Sequence, residues 1–388
     1  MPETIVLYVH HVGSYGGATN SLIEMVGGTT SKSKRVLIAP RGSASGQFEE
    51  VFDEVVFVRG IPQFDNTRFS YYRGIRWLIL LRELCLFLSS FPTLLLFLLK
   101  NSNKITVIHY NEITLVPLAL CSQLFRLNHV FHVRSLQKIN KRQSVIFQLF
   151  SNATFLPIDE YVDATLPRTA KRSICRNTFK IDETKKFYAD QVHAASETFE
   201  FVILGGEPYQ KGIDIALEAL MNLRQLHELD LRVTIFGMPD LLSLKTRIRR
   251  KLSRSYDSCI RTIETHQNSD WVTIEDFNRE REKIFKNKKA LLFTSRLNAP
   301  GRPIIEASYF KLPSIFCSDQ QITGVFRDVS ITSMNSVESV IRAIETLLDQ
   351  YAEKYHDAPF EKVIEMHSTV AQACVLTRTY GEKICIKY

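Results

Sequence analysis

The stretch FEFVILGGEPYQKGIDIALEALMNLRQL, residues 199–226, decides the fold class. Phe199 and Phe201–Leu204 form a short apolar run, too brief for a helix and bounded by Gly205 and Gly206. From Gly212 onward apolar residues recur at Ile213, Ala216, Leu217, Leu220 and Leu223, the spacing of one helical face. Buried-type strand, glycine turn and amphipathic helix make one βα unit, and such units repeat only in a parallel, doubly wound sheet.

The unit recurs in both directions. Upstream lie TIVLYV (4–9), RVLIAP (35–40), EVVFVRG (54–60), KITVIHY (104–110), NHVFHVRS (128–135) and ATFLPI (153–158). Downstream lie LRVTIFG (231–237), WVTIEDF (271–277), KALLFTS (289–295) and PSIFCS (313–318), closed by the helical pattern SVESVIRAIETLLDQY (336–351). Such runs suit strands covered on both faces. A chain of 388 residues also exceeds one ordinary core. The expected architecture is α/β: two Rossmann-like doubly wound parallel-sheet domains facing a cleft. The expected boundaries are a first Rossmann-like domain over 1–175, a second over 176–365, and a helical segment over 366–388 packing back on the first.

A hydrophobic content of 45% with 23% charged residues is ordinary globular composition. The net charge of +8 favours acidic partners: phosphate-bearing small molecules, anionic lipid or nucleic acid. No recognised nucleic-acid motif accompanies the charge, which turns the reading away from nucleic acid. Seven scattered cysteines with no C-x-x-C pair indicate neither a zinc site nor a disulfide framework, and fit a reducing cytoplasm. The start, MPETIVLYV, reads as a strand rather than a secretory signal. The uncharged run 84–99 contains Pro92 and is short for a membrane span, so a buried or membrane-surface helix is expected, with Arg82, Lys100 and Lys104 suited to anionic headgroups. The run KTRIRRKLSR (245–254) reads either as a solvated helix face or as a contact for a membrane or an anionic polymer.

Three loops at strand ends carry candidate chemistry. HHVGSYGGATNSL (10–22) brings Gly16 and Gly17 before a helix, allowing backbone to approach a ligand. It lacks the G-x-G-x-x-G spacing and the acidic residue of a dinucleotide site, which argues against NAD. GGEPYQKG (205–212) places Lys211 as a point charge for a phosphate, although a cation just before a helix opposes the helix dipole. LNAPGRPIIEASYFKLPS (297–314) places Gly301 and Arg302 ahead of a helix beginning at Pro303, with Glu306 one turn inside, to stabilise the helix or to accept ligand hydroxyls. No D-x-D pair suggests a metal-bound nucleotide, and no cofactor is expected. His109, His10 and His11 end strands, His109 being a candidate acceptor contact.

Together these loops resemble the retaining GT-B glycosyltransferases of the group 1, family 4-like type. GGATNSL, HVFHVRS, CRNTFKID (with Asn177), ILGGEPYQKGIDIALEAL and KALLFTSRLNAPGRPIIEASYFKLPSIFCSD carry the likeness in the family's order. The resemblance implies a nucleotide diphosphate-sugar donor, UDP- or GDP-linked, and a surface-glycan or lipid-linked acceptor. Retention would proceed without a metal, on the cytoplasmic side and peripheral to the membrane. It puts His132 and Asn298 on the transferred sugar, Lys211 and the Gly205 and Gly206 amides on the phosphates, Glu306 on the ribose, and Gly16 and Gly17 across from them. Two positions depart from the pattern: Asn298 stands where the first of two glutamates is usual, and Gly206 where a phosphate-binding arginine is usual. Arg302 or Arg296 is the candidate replacement. The departures keep open a GT-B nucleotide- or glycan-binding module with degraded catalysis. The aromatic and basic cluster RFSYYRGIRW (68–77) would suit a sugar plane or a lipid phosphate.

Overall fold

The computed structural model describes residues 4–30, 32–64, 78–137, 145, 147–180, 198–278, 280–297, 301–319, 326–355, 358–381 and 385–386. The chain divides into two compact units, one made of Met1–Ile181 with Met366–Tyr388, the other of Asp182–Glu365.

The first unit runs through β1 (Ile5–Val9), α1 (Gly17–Gly27), β2 (Thr29–Thr30), β3 (Lys34–Pro40), α2 (Ser45–Val51), β4 (Glu54–Val58), α3 (Ile79–Asn101), β5 (Ile105–Tyr110), α4 (Val116–Ser122), β6 (Asn128–Val133), β7 (Thr154–Pro157) and α5 (Glu160–Ala164). Its six-stranded sheet has the order β4-β3-β1-β5-β6-β7, every pair parallel. All five residues of β1 are buried, as a central strand covered on both faces requires. The chain leaves β1 toward β3 and later returns to β5 on its other side. The order reverses there, and the carboxyl ends of β1 and β5 border the crevice such sheets use for ligands.

The second unit repeats the plan with β8 (Phe199–Leu204), α6 (Pro208–Lys211), α7 (Ile213–His227), β9 (Leu231–Phe236), α8 (Leu244–Leu252), α9 (Arg254–His266), β10 (Val272–Glu275), α10 (Arg281–Phe285), β11 (Ala290–Phe293), α11 (Arg302–Tyr309), β12 (Ser314–Cys317), α12 (Phe326–Val329), β13 (Ser330–Ser333), α13 (Val337–Lys354) and α14 (Phe360–Met366). Its parallel sheet has the order β10-β9-β8-β11-β12-β13, so the switch point falls between β8 and β11. The chain then returns to the first unit as α15 (Thr369–Tyr380) and β14 (Cys385–Ile386), the latter pairing antiparallel with β2. Leu376 of α15 joins the core cluster of Val6, Leu37 and Phe48, and Gln372 Oε1 accepts from the Arg176 amide at 2.7 Å.

The apolar run around Pro92 forms a 23-residue helix, α3, with the proline inside it. By length and composition it could cross a membrane. One side is fastened to the protein: Glu83, Ser90, Leu94 and Leu98 are buried, and Glu83 Oε2 accepts from the Gln63 amide at 2.8 Å. The other side is open, with Leu81, Leu88, Leu96 and Leu99 each more than half exposed. The helix therefore has one side packed on the protein and one side bare. The cluster 68–77 lies outside the described residues.

Candidate functional site

At the switch point of the second sheet, the loop after β8 is shaped by close approach. A side chain at Gly205 would stand 2.6 Å from the Phe236 carbonyl oxygen, and Gly206 has φ +113. The Gly205 and Gly206 amides, expected to face donor phosphates, instead donate to the carbonyls of Phe236 at 2.6 Å and Gly237 at 3.0 Å, where β9 ends beside β8. The glycines therefore supply proximity, and side chains must supply the charge.

Lys211 closes the one-turn helix α6, and Gly212 follows in the left-handed region at φ +64 as the N-cap of α7. A Cβ at Gly212 would meet the Thr294 carbonyl oxygen at 2.1 Å, so the end of β11 presses directly on this turn. Lys211 thus stands between the C-terminus of one short helix, whose dipole it complements, and the N-terminus of the longer α7, whose dipole it opposes. Its ammonium lies 4.9 Å from the centre of the Phe293 ring. Burial lowers its pKa, and the negative charge of Glu306 partly restores it.

Glu306 is the hub. Its Oε1 takes Arg302 Nε at 2.8 Å and lies 3.4 Å from Arg281 Nε. Arg302 is the first residue of α11 rather than ahead of it, with Pro303 second and Gly301 as an extended N-cap that makes no side-chain capping bond. Arg281 and Arg302 thus lie against one carboxylate whose charge also reaches Lys211, and cations grouped at a helix N-terminus suit a polyphosphate. Arg281 was not singled out from the sequence. It lies 25 positions before Glu306, in a charge-rich run with no motif.

Arg296 is committed elsewhere. It holds Asp214 bidentately, Nη1–Oδ1 2.9 Å and Nη2–Oδ2 2.6 Å, stacks 4.2 Å over the Tyr209 ring, and its amide donates to Gln210 O at 2.8 Å. It clamps β11 to the Lys211 loop. Of the two replacements considered for the missing arginine, only Arg302 stands in the Glu306 cluster. Asn298 lies outside the described residues.

In the first unit the polar residues meet at the carboxyl ends of β1, β5 and β6, around Arg134. Its guanidinium donates to Asn111 Oδ1 at 2.7 Å, Asn111 O at 3.1 Å and Asn177 Oδ1 at 2.7 Å. Asn111 Nδ2 donates to His10 Nδ1 at 2.9 Å, leaving His10 Nε2 to donate to Thr19 Oγ1 at 3.0 Å; that hydroxyl donates to Ser14 O at 2.9 Å, in the glycine loop. Gly13 and Gly42 pack backbone to backbone, whereas nothing lies within 4 Å of a Cβ built at Gly16 or Gly17. The tight contact at Gly13 and Gly42 is structural, whereas Gly16 and Gly17 are open.

His132 and His109 are both fully buried. The His132 ring donates from Nε2 to Cys175 O at 3.0 Å and turns Nδ1 toward Arg134 Nη2 at 3.4 Å. His109 lies against Tyr380, Nδ1–Oη 2.5 Å. Burial, reinforced by the Arg134 charge, lowers the imidazoles of His132 and His10 far below their usual value, that of His11 to about 4 and that of His109 to about 3. None is a proton donor at neutral pH.

Residues 185–359 match the family model described as glycosyl transferases group 1. No curated protein matches. Among solved structures, the chain resembles Anabaena HepE in complex with UDP and glucose, at 13% identity and TM-score 0.69 over 97% of this chain and 99% of that one. It resembles a glycosyltransferase from Rickettsia africae at 12% identity and TM-score 0.69, covering 98% of each chain. It also resembles the lipopolysaccharide outer core galactosyltransferase WaaB in its apo form, at 13% identity and TM-score 0.63 over 97% of this chain and 98% of that one. At these identities the structural likeness carries the fold, and the matched segment, which contains Lys211, Arg281, Arg302 and Glu306, carries a likeness to that family over the second unit. With two six-stranded parallel sheets, the chain has the GT-B fold, and its second unit is similar to the group 1 glycosyl transferases.

Proposed function

We propose that the protein transfers a hexose-type sugar from a UDP- or GDP-linked donor to a surface-glycan or lipid-linked acceptor, with retention at the anomeric carbon. The observation that carries this reading is the cluster at the ends of β8 and β11: Lys211, Arg281 and Arg302 around the single carboxylate of Glu306. Departure of a nucleoside diphosphate develops negative charge, and cations already in place stabilise it without reorganising. Lys211 and Arg302 take the phosphates, with the start of α11 beside them, and no metal is needed to balance them. Glu306 has a second carboxylate oxygen for the ribose hydroxyls. Asn298 contacts the sugar. HepE, whose structure contains UDP and glucose, and WaaB, a lipopolysaccharide galactosyltransferase, support the donor and acceptor classes by analogy of fold. The bare leucines of α3 support a cytoplasmic enzyme resting against the membrane where such acceptors lie.

Calorimetric titration with UDP and GDP, followed by release of free nucleotide from a panel of donor sugars and NMR of the product anomer, tests the reading. Tight binding of one nucleotide with turnover and a retained anomer is expected. Failure to bind either nucleotide overturns the site assignment. Binding without turnover on every donor, with membrane extract as acceptor, would instead support the binding module that Asn298 and Gly206 suggest.

A further inference from the structure

The basic run in the second unit forms α8, capped by Ser243, whose hydroxyl accepts from the Thr246 amide at 3.3 Å. Only one side of the helix is fastened down. Thr246 is buried, and Arg250 reaches back to Asp257 at 2.7 Å and to Glu264. On the opposite side Leu244, Ile248 and Leu252, spaced four residues apart and so stacked in one ridge, are 72%, 48% and 81% exposed. Leu242, just before the helix, is 73% exposed. Core packing does not use these leucines, and a helix wanting only solubility would not place them there.

The ridge is edged with positive charge. At 100° per residue, Arg247 and Lys251 fall on one flank and Lys245 on the other, all exposed, and Arg254 follows directly. None of these four makes an ion pair among the described residues. An apolar ridge with lysine and arginine along both edges matches a bilayer surface, where leucines enter the acyl boundary and the cations meet anionic headgroups. A soluble polyanion would have no use for the ridge.

We propose that α8 is an interfacial helix that docks the nucleotide-sugar domain on an anionic lipid bilayer, a contact separate from that of α3. The inference rests on the structure of the second unit and not on the reading of α3. The contact lies next to the donor loop: Arg249 stacks over Tyr256 at 4.5 Å and lies 3.1 Å from Glu207 Oε1, in ionic contact though not aligned as a hydrogen bond, while the other oxygen of Glu207 accepts from the Gln210 amide at 2.6 Å and so caps α6. A bilayer against α8 therefore sits one residue contact from the element that ends in Lys211.

The test is sedimentation of the full chain with phosphatidylcholine vesicles, with and without phosphatidylglycerol, for wild type, L244S/I248S/L252S, K245E/R247E/K251E and the α3 variant L84S/L88S. Wild type is expected to bind the anionic vesicles, with a steep loss in salt. The ridge variant should lose at least about tenfold in partitioning, and the charge variant on the order of a hundredfold. UDP affinity should stay at the wild-type level in both, showing that the fold is intact. Wild-type vesicle binding by both α8 variants, with loss only in the α3 variant, overturns the α8 contact while leaving the α3 reading standing. Loss in the charge variant without loss in the ridge variant also overturns it, because the contact would then be electrostatic alone. No vesicle binding by wild type defeats both.

Discussion

Replacing Lys211 by methionine removes a charge while keeping the length and apolar character of the side chain. In the nucleotide-free protein the ammonium is half-buried over Phe293, disfavoured by lost hydration and helped by Glu306. A unit charge facing a phosphate oxygen at ~4 Å gains ~4 kcal/mol at an effective dielectric constant of 20. Partial exposure and the competing attraction of Glu306 reduce this toward the ~1.5–3 kcal/mol typical of a charge-assisted hydrogen bond. Taking ~2.7 kcal/mol gives roughly a hundredfold loss in UDP affinity. Stability should behave differently. The lost cation–π contact costs about 0.5–1 kcal/mol, and relief of the buried charge offsets it, so Tm without nucleotide should stay within about 3 °C of wild type. At a UDP concentration 100 times the wild-type Kd, wild type gains about 2.7 kcal/mol from binding and the variant about 0.4 kcal/mol. Paired melts with and without UDP, checked by calorimetry, read both effects together. A variant that melts well below wild type yet keeps its UDP affinity would make Lys211 a packing residue and refute the reasoning.

Glu306→Gln should weaken UDP by about tenfold while inorganic diphosphate binds as well or better, since Arg302 and Arg281 lose their carboxylate; equal weakening of both ligands would remove the ribose from the account. Gly212→Ala should destabilise by about 1–3 kcal/mol, because φ is +64 and the new methyl meets the Thr294 carbonyl, whereas Gly16→Ala, extended and open, should leave Tm unchanged and lower only transfer; chemical denaturation and turnover separate them. Stability should fall as pH drops from about 6.5 toward 4, because unfolded imidazoles take up protons near 6.5 while folded His11 and His109 do so only near about 4 and about 3. Buried Asp159, pushed up to about 6, acts in the opposite sense over part of that window, but it is one group against the lowered histidines. A Tm independent of pH between 7.5 and 5 would contradict the buried histidine cluster.

The strands were legible because buried parallel strands are written as continuous apolar runs, and Lys211, Arg302 and Glu306 drew notice because each lies in the first helix after such a run. What escaped was the pairing between segments far apart in the chain. That the Gly205 and Gly206 amides are used by carbonyls at the end of β9 depends on which strand lies beside β8, which no local pattern states. Arg281 enters from a short helix whose sequence is indistinguishable from a solvated charged run. Histidine drew the eye at position 132, yet its ring is wholly buried, and the first residue beyond the strand, Arg134, bonds the two asparagines at the polar end. Pro92 was read as a weakness in an apolar run; in place it lies exposed in a helix continuing to Asn101.

The two units hold their charged residues in different ways. In the second, Arg281 and Arg302 lie against the carboxylate of Glu306, whose charge also reaches Lys211. In the first, the Arg134 guanidinium donates to two asparagines and lies 3.4 Å from the imidazole of His132, which burial keeps uncharged. Such a network holds the guanidinium in one orientation. Protonating any of the surrounding histidines would set like charges against Arg134, so the depression of their pKa values and the placement of the arginine are one arrangement.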